Sequence, residues 1–335
     1  MLTRICRYAH PNITGLNYEK FIKVICPTVT HIRHSPLAGL IKTLDLSQLL
    51  YEGKASYTAR LLRRCAGSIE KFIAPTTHFG YACMVALGSC HKLQLLDLRL
   101  VSQSIVLHDL FQATKNLRQL RTLLFPRSLM ATNNPMPCDS YSLPEKLERF
   151  SFAGSIPDAF LTTLSAPETL TELRISHAFA RASSFKYLLN KWSQHLRVLE
   201  INYNISTLPH NALDKLLFIC PYVIELRVAV DYISYRFFDE DNTPHNHPLY
   251  HLDLDSSGYM GAAHKLKADN IFICLAEGRL PYLRILRISE RLNWRTKDEQ
   301  GVEDLVEVLE SRKTTEDEVA GVWEFGTTSH GYGPF

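Results

Sequence analysis

The sequence predicts an α/β solenoid, a horseshoe of about ten parallel strands on the concave side with helices on the convex side. Three observations predict it. A short frame with apolar residues at its first, fourth and sixth positions recurs along most of the chain. The intervals between frames mostly carry apolar residues at helical spacing. Neither the frame nor the helical interval can bury its apolar face alone, so each needs a copy on either side.

The stretch His210–Val228 shows the unit in full. Ala212, Leu213, Leu216, Leu217 and Cys220 recur at a period of 3.6, and Val223, Leu226 and Val228 form the frame. The second and third frame residues are two apart and share one face of a strand.

In chain order, residues 1–37 fit no repeat. Tyr18–Ile25 reads as a short helix before Cys26-Pro27, and the segment is expected to be an N-terminal cap or a remnant linker. The frames begin at Ile41-Leu44-Leu46 and run through middle residues Phe72, Leu96, Leu123, Phe150, Leu173, Leu199, Leu226, Leu252 and Leu286. The steps between these residues are 28, 24, 27, 27, 23, 26, 27, 26 and 34. All but the last fall in the 20–29-residue window of a leucine-rich repeat. Helices are predicted over Ala55–Cys65, Phe79–Ser89, Val106–Thr114, Asp158–Leu164, Ser183–Trp192, Asn211–Cys220 and Lys265–Ala276. Arg127–Pro144 holds three prolines and Asn133-Asn134, and is expected to be irregular. Asp255–Ala268 holds the extra residues of the long last step. The repeat domain therefore spans 38–295. Residues 296–313 follow as a capping helix with Val302, Leu305, Val306 and Leu309 at helical spacing, and 314–335 are expected to be a disordered tail.

Composition excludes several function classes. The 37 basic and 34 acidic residues leave a net charge of +3, no argument for nucleic acid or an anionic membrane. No secretory h-region and no apolar run of spanning length occurs. The eight cysteines are scattered without a C-x-x-C; Cys65, Cys90 and Cys220 fall at helix-to-strand junctions and read as buried thiols. Together these features predict a cytoplasmic or nuclear monomer. The sequons at Asn12 and Asn204 carry no weight without a secretory route. No nucleophile elbow, phosphate-binding glycine loop or H-E-x-x-H is present, so no enzyme, catalytic residue, metal or cofactor is expected. Cys138, in its proline-rich loop, is the one exposed-looking thiol, and no base stands near it in sequence.

Function then rests on the strand positions between the leucines. One residue per frame gives the column Asp45, Ile73, Asp97, Leu124, Ser151, Arg174, Glu200, Arg227, Asp253 and Arg287. The last five alternate in sign, and neighbouring strands lie about 4.8 Å apart. This column is either a self-neutralising ladder or a charged strip that exchanges its internal partners for those of a ligand. Ile73, Leu124 and Leu95 make the earlier half more apolar, which favours a protein partner. The candidate binding residues are thus Asp97, Arg174, Glu200, Arg227, Asp253, Arg287, Leu95 and Leu124. Tyr232, Tyr235, Phe237 and Phe238 form a second candidate patch, unless some of them turn inward in place of a missing helix. His245, His247 and His251 lack cysteines or paired carboxylates at ligand spacing.

The phrases LIKTLDLSQL (Leu40–Leu49), LLRRCAGSIEKFIAP (Leu61–Pro75) and ICPYVIELRVAVDYIS (Ile219–Ser234) resemble the fungal F-box proteins with leucine-rich repeats, over roughly Leu37–Arg295. That resemblance implies repeats that capture a substrate protein for a Skp–cullin–F-box ubiquitin ligase, with an N-terminal F-box docking on the ligase adaptor. Residues 1–37 lack the L-P-x-E-L-like opening of an F-box. The alternative is a free-standing repeat scaffold or inhibitor with no ubiquitin role.

Overall fold

A computed structural model describes residues 8–27, 35–49, 54–130, 141–179, 181–202, 205, 208–259, 266–315 and 318–326, the side chains of Ser155 and Phe179 excepted. The chain divides into two compact units, Met1–Leu170 and Thr171–Phe335.

The first unit contains strands β1 (Thr43–Asp45), β2 (Lys71–Ile73), β3 (Leu95–Asp97), β4 (Thr122–Leu124) and β5 (Arg149–Ser155). Each pairs in parallel with the next. The helices are α1 (Gly15–Ile25), α2 (Ala55–Cys65), α3 (Tyr81–Leu87), α4 (Leu107–Thr114) and α5 (Asp158–Thr163). α1 packs on α2, α2 on α3 and α3 on α4, so the helices stack as the strands do. A small parallel pair, Ile105–Val106 with Leu129–Met130, adds a second row of strands beside α4. Gly154 in β5 has φ +90°, and a Cβ there would lie 2.9 Å from Leu129 Cβ and 3.0 Å from the Arg127 carbonyl oxygen. Only glycine lets β5 approach that segment so closely.

The second unit contains β6 (Glu172–Phe179), β7 (Val198–Ile201), β8 (Glu225–Ala229), β9 (His251–Asp255), β10 (Ile285–Ser289) and β11 (Gly321–Phe325), again parallel in sequence order. Its helices are α6 (Ala182–Trp192), α7 (Leu216–Ile219), α8 (Ala268–Ala276), α9 (Trp294–Lys297) and α10 (Glu299–Ser311).

The frames account for this architecture. Every frame middle residue lies in a strand and faces the core, with Leu226, at 2% exposure, the most accessible of the ten. The first and third frame residues are buried as well. Because the register aligns Leu199, Leu226, Leu252 and Leu286, each side chain closes the space beneath its neighbour. Cys26, Cys65, Cys83, Cys90, Cys220 and Cys274 are free and buried. Burial pushes the thiols of Cys65, Cys90 and Cys220 up to about 12 and that of Cys274 up to about 11. None of these six is expected to react with maleimide in the folded protein at pH near 8, and all are expected to react in denaturant. Mass-resolved labelling before and after unfolding checks this.

The structure corrects two expectations about these elements and decides a third that was open. Within the expected disordered tail, Gly321–Phe325 forms β11, beside β10. Its third frame position is Glu324, which broke the apolar pattern. The helix predicted over Asn211–Cys220 is reduced to Leu216–Ile219. The residues ahead of it are held by the following loop instead. Leu213 N–H donates to the Tyr232 carbonyl, and the Asp214 carboxylate accepts from Ser234 N–H at 2.6 Å and from Ser234 Oγ at 2.7 Å. Of the two readings of the aromatic cluster, the structure gives the inward one for Tyr232, Phe237 and Phe238. They are buried at 5%, 0% and 1%, on two short 3₁₀ turns that replace a helix between β8 and β9, and Tyr235 alone of the four stays exposed. The Tyr232 hydroxyl donates to the Ile205 carbonyl and accepts from Ile205 N–H. Cys138 and Asn204 lie outside the described residues.

Candidate protein-recognition face

In the second unit the alternating column is real in space. Parallel pairing sets Arg174 beside Glu200, Glu200 beside Arg227, Arg227 beside Asp253 and Asp253 beside Arg287. The row continues to Trp323 on β11, which is 39% exposed. Because core-facing and open positions alternate along each strand, all six residues share the face away from the leucines.

The charges are largely occupied by one another. Arg174 Nε lies 2.7 Å from Glu172 and 3.4 Å from Glu200. Arg287 Nη1 lies 3.4 Å from Asp253, and His251 Nε2 lies 2.7 Å from the other oxygen of that carboxylate. Arg227 reaches past Asp253 to Asp255, at 3.6 Å. Asp255 is only 1% exposed and also accepts from Ser256 N–H. Phe325 lies under both arginines, its ring centre 5.1 Å from the Arg227 and Arg287 guanidinium carbons. A residue of the expected tail thus holds the two cations in place. Arg174 and Arg287 keep about a third of their side-chain surface open and are the ladder's most available cations.

In the first unit the picture differs. Asp97 is buried, bound by Arg99 through Nη2 at 2.7 Å and through the backbone N–H at 3.0 Å, so it closes a strand-end turn. Asp45 accepts from Ser47 N–H in the same manner. Leu124, expected in an exposed apolar patch, is 1% exposed, because β4 is buried on both faces. Leu95 and Ile73 are half-buried.

Two features escaped the sequence reading. Tyr222, Ile224, Tyr250 and Tyr282 are all more than a third exposed at the start of successive strands of the second unit. Tyr250 N–H donates to the Ile224 carbonyl and Arg284 N–H to the Tyr250 carbonyl, so the residues ahead of β8, β9 and β10 form one row along this rim. The repeated Pro-Tyr pairs, Pro221-Tyr222 and Pro281-Tyr282, are the signal that pointed there. The second feature is a groove between α10 and β11.

The histidines do not gather. His245 lies 4.0 Å from Glu240. His247 is a core residue whose Nε2 lies 3.1 Å from the Cys220 carbonyl and whose Nδ1 accepts from Leu249 N–H. Among the described residues no three His, Cys, Asp or Glu side chains converge as a metal site would need. Burial pushes the His247 pKa below its ordinary 6.5. The unfolded chain therefore binds this proton more tightly, so the stabilisation is complete above about pH 6.5 and is lost as pH falls below it. The urea midpoint of the second unit is expected to drop between about pH 7 and 5, and to drop less in His247→Gln. Parallel pH profiles of the two proteins check this.

No helix among the described residues is long and apolar enough to cross a membrane. No family model matches the chain. Among solved structures, the chain is similar to the leucine-rich repeat-containing protein LegL7 from Legionella pneumophila, at 14% identity and TM-score 0.43 over 95% of this chain and 89% of that one. It is also similar to a chain of the yeast Rad7 and Elc1 complex, at 11% identity and TM-score 0.35 over 83% and 84%. Two curated fungal proteins match far more closely in sequence. F-box protein YDR306C of Saccharomyces cerevisiae is 34% identical over 313 residues, which cover 91% of this chain and 63% of that protein's length. Protein pof5 of Schizosaccharomyces pombe is 30% identical over 324 residues, covering 93% of this chain and 89% of pof5. With a repeating parallel sheet beneath that identity, the chain belongs to the family of fungal F-box proteins with leucine-rich repeats that includes these two relatives.

Proposed function

We propose that this chain recognises a substrate protein for a Skp–cullin–F-box type ubiquitin ligase, in the cytoplasm or nucleus, and performs no catalytic step itself. The observation that carries this reading is the match to pof5 and to a relative named as an F-box protein over nine-tenths of the chain. The open sheet face supplies a physical basis for capture. Arg174, Arg287 and Trp323 are residue types that carry most of the energy at protein interfaces, and they stand on rigid strands. A partner carboxylate that displaces Glu200 from Arg174 or Asp253 from Arg287 exchanges one ion pair for another, so selectivity rests on shape and on Trp323 more than on net charge gained.

The test is affinity capture of the tagged chain from yeast extract followed by mass spectrometry. Adaptor and cullin are expected in the eluate, together with proteins that accumulate when cullin is inactivated. A set of partners without adaptor or cullin contradicts the ligase reading and leaves a scaffold.

A further inference from the structure

Helix α10 and strand β11 are the last elements of the second unit among the described residues, and a groove of about 480 Å³ opens between them. In a stacked unit the core-facing residues of each strand are covered by those of the next. Val322 and Glu324 stand in register with Leu286 and Ile288, yet no described strand follows them. Leu286 is fully buried, whereas Val322 is only half-buried. The groove is where the helix of a further repeat would stack.

Its floor is Ile288, Val302, Val306 and Val322. Val302 and Val306 lie one turn apart on α10 and are half-buried, while Leu305 and Leu309 of the same helix fill the core. Its rim is Glu299, Glu303, Glu307 and Glu310, all exposed and stepped by four, four and three residues into one stripe. Like charges at this spacing work against their own helix. Little offsets them. Arg295, the cation that lines the groove, is engaged by Glu324 at 3.0 Å, and Lys313 lies 3.8 Å from Glu310. Among the described residues no cation stands within ion-pair distance of Glu299, Glu303 or Glu307.

We propose that this groove docks a basic amphipathic helix of another protein, its apolar side chains on the valine floor and its Lys and Arg along the glutamate stripe. Charge complementarity selects this occupant: a helix laid beside α10 presents cations at the same three- and four-residue steps as the glutamates. Residues 327–335 carry no Lys or Arg and do not match the stripe. The site is separate from the ligase reading, because it is measured on the purified chain without adaptor or cullin.

The probes are a fluorescein-labelled Leu/Lys peptide with leucines at helical spacing and its Leu/Glu counterpart, followed by fluorescence polarisation. The full chain is expected to bind the first and not the second. The double variant Glu303→Lys/Glu307→Lys, at exposed positions that keep the fold, is expected to weaken binding about tenfold or more. Equal binding of both peptides, no binding, or equal binding by the variant overturns the proposal. So does an about tenfold gain in affinity on removing residues 327–335, which makes the tail the occupant, or a dimer that the variant dissolves, which makes it a second copy.

Discussion

Leu226→Ala is expected to destabilise the second unit by about 2–5 kcal/mol. Leu226 is 2% exposed and stands in register between Leu199 and Leu252, which are equally buried. Truncation removes a side chain that two neighbouring strands pack against, and the strand backbones cannot close the gap because their ladders fix their spacing. Urea unfolding followed by tryptophan fluorescence reads this unit alone, since Trp192, Trp294 and Trp323 all lie in it. Ile224→Ala, two residues earlier and 39% exposed, is the control and is expected to move stability by no more than about 0.5 kcal/mol. Equal effects of the two substitutions contradict the register.

Arg227→Ala is expected to cost about 2–3 kcal/mol, less than the breaking of a fully buried pair because Arg227 keeps some contact with water. The reason is its partner. Asp255 is 1% exposed, and losing the guanidinium 3.6 Å away leaves a buried carboxylate with less compensation. The cation over Phe325 is lost with it. Asp255→Asn is expected to recover part of the loss when added to Arg227→Ala, with a coupling of about 1–3 kcal/mol in the double-mutant cycle. Additive single effects contradict the pairing. Arg227 is thus a structural member of the ladder, and its charge reversal cannot serve as a fold-neutral probe of binding.

Most of the fold was legible because stacked strands impose one local demand, an apolar residue at three fixed positions, and ten frames meet it. β11 meets it only in part: Val319 and Val322 fit, but Glu324 stands third and turns to Arg295. The step of 36 from Leu286 to Val322 is also longer than a repeat. The segment before Leu216 was misread because its apolar spacing is helical while its hydrogen bonds go to Tyr232 and Ser234, a long-range choice that periodicity does not register. At the site, the sign alternation from Arg174 to Arg287 was legible, since register follows from the frames. The actual pairings were not. Asp253 pairs with Arg287 and lies beside His251, Arg227 turns to Asp255, and Phe325 arrives from a segment with no repeat signature. Burial of Leu124 on the open side of β4 depends on both faces being covered there, which one strand's sequence does not encode.

The most direct test of recognition by the open sheet face is partner capture by Arg174→Gln/Arg287→Gln. These are the ladder arginines with the most open surface, and glutamine keeps the aliphatic stem and a polar end while removing the charge. Capture of the co-purifying proteins is expected to fall about tenfold or more, while the melting temperature moves by no more than a few degrees. Undiminished capture by a folded double variant contradicts recognition through this face.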